Sequence, residues 1–128
     1  MTTPLLLDTD VLIDYLRGRA EAVTYLEGQT APLLVSAVTV GELYAGVREG
    51  AERTKLNTFL TAFEVVAVDL AIATRGGLYR RDYGRSHGTG LADALIAATA
   101  EARQATLVTL SQKHFPMVAA LYVPYQKP

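Results

Sequence analysis

A chain of 128 residues with half its residues apolar and a fifth charged is long enough for one domain with a real core and too short for two ordinary ones. The formal net charge of −1 excludes a protein that works by coating nucleic acid with a broad basic surface, and the lack of cysteine excludes disulfides and thiolate metal sites. No secretory leader and no apolar run of membrane-spanning length is legible, so the expectation is a soluble, cytoplasmic protein that does not engage a membrane.

The chain opens on Pro4-Leu5-Leu6-Leu7-Asp8, a continuous apolar run that ends in a carboxylate, as a strand buried on both faces does. Val11, Leu12, Tyr15 and Leu16 follow at helical spacing and predict a helix over about Thr9 to Arg17, with Gly18 as its stop. A second helix spans Ala20 to Glu27. Leu33-Leu34-Val35 is a second strand, after which Val40, Leu43, Tyr44 and Val47 mark an amphipathic helix. Residues from Ala51 to Phe63 read as helix and Glu64 to Val68 as a third strand. Asp69 is placed to cap a helix running to about Tyr83, and Gly84 to Gly90 reads as a loop. Leu91 to about Gln104 is helical, Ala105 to Leu110 a fourth strand, and Leu121 to Tyr125 a fifth. This alternation predicts a three-layer α/β/α sandwich around a mostly parallel five-stranded sheet, folded as one domain.

In open α/β sheets, ligands bind beyond the carboxyl ends of the strands, where Asp8, Thr109 and Ser111 would fall. Taken alone, Asp8 reads equally well as the cap of the following helix. Asp93 is more telling, because the helix around it is apolar on nearly every side. Leu91, Leu95, Ala98 and Ala102 share one face, with Asp93 on the other beside Ile96, Ala97 and Ala100. A carboxylate buried there needs a cation or hydrogen-bond donors. Glu42 is ambiguous: Thr39-Val40-Gly41-Glu42 matches a capping box, while Gly41 and Gly46 strip bulk from the helix as a cleft wall would. If Asp8, Glu42 and Asp93 converge, their repulsion demands a cation. Oxygen donors without cysteine, with His87 and His114 outside any zinc-protease motif, favour Mg²⁺ or Mn²⁺ and hence phosphoryl chemistry.

Three segments carry a resemblance: Leu6-Leu7-Asp8-Thr9-Asp10-Val11-Leu12-Ile13, Ser36-Ala37-Val38-Thr39-Val40-Gly41-Glu42-Leu43, and Leu91-Ala92-Asp93-Ala94-Leu95-Ile96-Ala97-Ala98-Thr99-Ala100. In this order they closely resemble the PIN-domain nucleases, in particular VapC-type toxins of prokaryotic toxin–antitoxin pairs, and the likeness extends through Thr106 to Phe115. The resemblance implies a Mg²⁺-dependent endoribonuclease, usually homodimeric and silenced by a VapB-like antitoxin, whose products carry 5′-phosphate and 3′-hydroxyl ends. It makes Asp8, Glu42 and Asp93 the catalytic, metal-binding acids. Ser111 stands where the family often has a fourth acidic or amide residue. Thr9, Asp10, Thr109 and Ser111 are then candidates to orient waters or ligands, and Arg85 and His87, in the expected loop, to hold RNA.

Two other readings stay open at this stage. Leu5-Leu6-Leu7-Asp8-Thr9-Asp10-Val11 also resembles the nucleophile strand of haloacid-dehalogenase-type phosphatases, with Asp8 as nucleophile and Asp10 as acid/base, but no carboxylate follows Glu101 to complete that site. The other is an inactive PIN-like module that binds protein or RNA.

Overall fold

The computed structural model describes residues 2–127. Five strands form one all-parallel sheet: β1 (Leu5–Leu7), β2 (Leu33–Ser36), β3 (Glu64–Val66), β4 (Thr106–Val108) and β5 (Leu121–Tyr122), in the spatial order β3-β2-β1-β4-β5. Six α-helices connect them: α1 (Thr9–Leu16), α2 (Ala20–Glu27), α3 (Ala37–Ala45), α4 (Ala51–Leu60), α5 (Leu70–His87) and α6 (Leu91–Ala102). The expected sandwich is what forms, with every strand pair parallel.

Successive side chains of a strand point to opposite faces, so a strand covered on both sides must be apolar throughout. The three central strands obey this along their inner residues, with Ser36 and Thr106 at the ends of β2 and β4. Leu6, Leu34 and Leu107 enter one core with Ile72, Ile96, Ala97 and Phe115, while Leu7, Val35 and Val108 enter a second with Val11, Leu12, Leu43 and Leu56. Helices α5 and α6 cover the first face. They approach closely at Gly76, where a Cβ would stand 2.6 Å from Leu95 Cδ2 and 3.1 Å from Leu95 Cα.

Two sequence expectations require correction here. The segment from Gly84 to His87 is not loop: α5 runs on to His87 and stops at Gly88, whose φ of 65° is the left-handed conformation that ends helices. Gly84 merely weakens the helix, by about 1 kcal/mol relative to alanine, without breaking it. The capping box at Thr39 also fails, because α3 begins three residues earlier in the sequence than that motif requires, with Ser36 Oγ accepting from Val38 N at 3.0 Å. Asp69 does cap α5, accepting from Ile72 N at 2.9 Å. Among the described residues no helix is long and apolar enough to cross a membrane.

Candidate active site

The sheet's apolar interior gives way to polar groups at the carboxyl ends of its central strands. Asp8 follows β1 directly and is buried; its Oδ1 accepts from Thr9 N at 2.8 Å and its Oδ2 from Thr109 Oγ1 at 2.7 Å. The capping reading of Asp8 holds through Oδ1, while Oδ2 faces the residue after β4. Thr109 Oγ1 in turn accepts from Ser111 N at 3.0 Å. Asp10 lies in the first turn of α1, and its Oδ2 accepts from Leu110 N and Ser111 Oγ, each at 3.1 Å. Its Oδ1 is buried and finds no hydrogen-bond partner.

Burial first, and then the charge of Asp10, push the Asp8 carboxyl up to about 7, with Asp93 adding to the rise; the hydrogen bonds from Thr109 and Thr9 only partly offset it. Asp10 is likewise raised by burial, against the opposing pull of its hydrogen bonds to Leu110 and Ser111 and the positive charge of Lys127. Three carboxylates are thus close enough to feel one another.

Glu42 joins them by a tertiary contact. Its Oε1 accepts from Thr9 Oγ1 at 2.6 Å, and the same hydroxyl lies 3.1 Å from Thr39 Oγ1, which is fully buried within α3. The threonine read as a helix cap instead forms part of the floor beneath Glu42. Asp93 sits in the first turn of α6 with its side chain 29% exposed and Oδ2 3.5 Å from His114 Nδ1. The expectation of a charge sunk in an apolar helix is corrected accordingly: the buried side of α6 runs from Ala94 to Ala100, Leu91 is 55% exposed, and Asp93 stands where the helix start leaves the core.

His114 was not singled out by sequence reasoning. It ends a 3-10 turn (Gln112–His114), and its backbone oxygen accepts from the buried Thr89 hydroxyl at 2.7 Å, tying the turn to the start of α6. Its neighbour Phe115, fully buried, was the available signal, since an apolar anchor fixes where the preceding polar residues must point. Arg85 and His87 are exposed on the last turn of α5, where His87 pairs with Ser86 Oγ at 2.7 Å.

Among the described residues, no three histidine, aspartate or glutamate side chains are gathered tightly enough to hold a metal ion as they stand. Their partners explain this: Glu42 is drawn to Thr9 and Asp93 to His114. The donors nevertheless suit a hard divalent cation in kind. All are carboxylates, one is held near 7 by burial and neighbouring negative charge that a cation would relieve, and a buried carboxylate oxygen lacks any partner.

An all-parallel sheet with Asp8 at the end of β1, Asp10 in the first turn of α1, Glu42 within α3 and Asp93 in the first turn of α6 defines a class as well as a site. Residues 5–121 match the PIN domain, and the chain belongs to that family. Within it, the chain is 42% identical to "Ribonuclease VapC10" of Mycobacterium tuberculosis over 97% of its own length and 95% of the relative's. It is 39% identical to "Ribonuclease VapC19" of the same organism, over 94% and 98%. Among solved structures, a "Toxin-antitoxin complex from Klebsiella pneumoniae" superposes with a TM-score of 0.84 at 28% identity, covering 96% of this chain and 99% of that one.

Proposed function

We propose that this protein is a cytoplasmic, Mg²⁺-dependent endoribonuclease, the toxin of a VapBC-type pair, in which Asp8, Glu42 and Asp93 hold the ion; Mn²⁺ would serve in the same place. The observation that carries the reading is the hydrogen-bonded web of Thr9, Thr109 and Ser111, which holds Asp8, Asp10 and Glu42 at one end of the sheet. Hydroxyls that orient carboxylates in this way are the usual support of a metal site. The names of the relatives, ribonucleases of the VapC type, favour RNA over other phosphodiesters.

The chemistry that Mg²⁺ supplies when bound is polarisation of a phosphate oxygen and acidification of water, giving in-line hydrolysis with 5′-phosphate and 3′-hydroxyl products. The protein's own contribution is positional. Thr109 fixes the rotamer of Asp8, Thr9 fixes Glu42, and Asp10 secures the Leu110 backbone and the Ser111 hydroxyl against α1. Arg85 and His87, one short turn before the start of α6, would meet the RNA backbone from the side of Asp93.

The superposing toxin–antitoxin complexes support a VapB-like antitoxin as partner, and the exposed Leu70 and Leu91 support a homodimer, in which a second copy would cover apolar surface. The deciding experiment incubates purified protein with total RNA, with Mg²⁺ or with EDTA, and sequences the new 5′ ends. Discrete Mg²⁺-dependent ends that vanish in Asp8→Asn, Glu42→Gln and Asp93→Asn are expected; wild-type cleavage by all three variants would refute the assignment.

A further inference from the structure

Beyond the ends of β4 and β5, beside Asp10, lies a concavity. It has a volume of 430 Å³, and Asp10, Ser111, Gln112, Tyr125, Gln126 and Lys127 are among its lining residues. Of the acids described above it is lined by Asp10, which with Ser111 also belongs to the web that supports Asp8, so a molecule seated in it rests against that web. A larger cavity, of 610 Å³ between α1, α3 and α4, contains none of these acids.

The far wall of the concavity is built by the chain after β5, and that wall is anchored. Tyr125 Oη donates to Asp14 Oδ2 at 2.8 Å and Lys127 Nζ to Asp14 Oδ1 at 2.9 Å. Arg19 lies 6.0 Å from the Tyr125 ring centroid, and Tyr122 stacks on Tyr25. Asp14 is buried with these cations and hydroxyl around it; burial works to raise its pKa, but the hydrogen bonds and charges of Lys127, Tyr125 and Arg19 outweigh it and hold the carboxyl ionised. The segment is therefore a fixed surface against which a ligand can be oriented.

The chemistry of the lining selects the ligand. Gln112 and Gln126 are exposed, which leaves their side-chain amides open to a ligand. A planar amide offers a donor and an acceptor side by side, the complement of a base edge, and sequence-selective contacts to RNA are made on unstacked bases of single strands. Lys127 brings a cation, its side chain 46% exposed and one of its three donors spent on Asp14. The volume suits one nucleotide.

We propose that this concavity is a base-reading subsite for the nucleotide that flanks the scissile phosphate, with the Gln112 and Gln126 amides on the base edge and Lys127 on the neighbouring phosphate. The proposal rests on the nuclease reading for its substrate, and its test is independent of turnover. The full-length ¹⁵N-labelled protein is titrated in EDTA with RNA tetranucleotides of A, C, G and U. The side-chain amides of Gln112 and Gln126 should shift, and the four affinities should differ. The double variant Gln112→Ala/Gln126→Ala should flatten that difference by roughly tenfold. Lys127→Gln should weaken binding to all four and reduce the slope of log affinity against log salt by about 0.7.

Equal affinities in the wild type, an undiminished preference in the double variant, or shifts confined to other residues would overturn the subsite. An antitoxin-derived peptide that shifts these amides when no RNA does would overturn it too, assigning the concavity to a protein partner. RNA held here but never cut in Mg²⁺ would sink the nuclease reading alone. Discrete cleavage with an unaltered base preference in the double variant would sink only the subsite.

Discussion

Leu7 and Asp8 are adjacent in the chain and both are buried, yet burial acts on them with opposite sign. Leu7 is fully enclosed by apolar neighbours, and its removal from water stabilises the fold by about 1.5–3 kcal/mol. Asp8 is 5% exposed, and the same loss of water, together with nearby negative charge, pushes its carboxyl up to about 7. Within β1 burial therefore produces stability, and at the residue that follows it burial works against the ionised group that the proposed chemistry needs. The comparison teaches that a parallel sheet supplies both environments one residue apart, because the chain passes from strand to helix where the strand ends.

The sharpest way to break this contrast is to remove charge at the strand end. Asp8→Asn, Glu42→Gln or Asp93→Asn should each lower RNA cleavage by more than about a hundredfold while far-ultraviolet circular dichroism stays that of the wild type. Loss of the folded spectrum would instead mark these acids as structural. Leu7→Ala tests the other side, and should cost about 2–5 kcal/mol in denaturant unfolding while leaving the cleavage chemistry of the surviving folded fraction in place.

A smaller effect is expected at Thr109, which touches both regions. Thr109→Val keeps the shape but strips the donor from Asp8 Oδ2 and the acceptor from Ser111 N. Activity should fall by about tenfold and the Mg²⁺ concentration needed for half-maximal cleavage should rise, with about 1–3 kcal/mol lost in denaturant unfolding for the polar groups left unpaired. A Thr109→Ser variant, which restores the hydroxyl, should recover most of the loss in the same assay.

The gentlest test uses pH. With the folded pKa of Asp8 near 7 and the ordinary value at 3.8, the folded protein holds a proton that the unfolded chain has lost anywhere between these values. Stability in EDTA should therefore fall as pH rises from 3.8 toward 7 on account of this group, and the raised Asp10 acts in the same direction. Asp8→Asn should therefore be more stable than the wild type at pH 8, and its advantage there should exceed that at pH 5 by an amount on the order of 1 kcal/mol in denaturant unfolding, even as it abolishes activity. A variant less stable than the wild type at pH 8 would show that the charge of Asp8 is already compensated within the protein.

The amino-acid sequence by itself determined the alternation of strands and helices, the apolar strands buried on both faces, and the identities of Asp8, Glu42 and Asp93 as site candidates. Those features are local or periodic, and period and strand-end position can be read from one chain. It also placed Thr9, Asp10, Thr109 and Ser111 near the site, because strand ends share one edge of a parallel sheet. The tertiary structure alone decided what each residue touches. It gave Glu42 to Thr9 in place of Thr39, set His114 beside Asp93, and turned the residues after β5 into a wall clasped on Asp14. It also extended α5 through Gly84, since a helix packed along one face against α6 tolerates a glycine that isolated propensity reads as a stop. Contacts such as Thr109 to Asp8 join residues at opposite ends of the chain, and no local pattern encodes a partner so far away; only the packing of helices on both faces of the sheet brings them within reach.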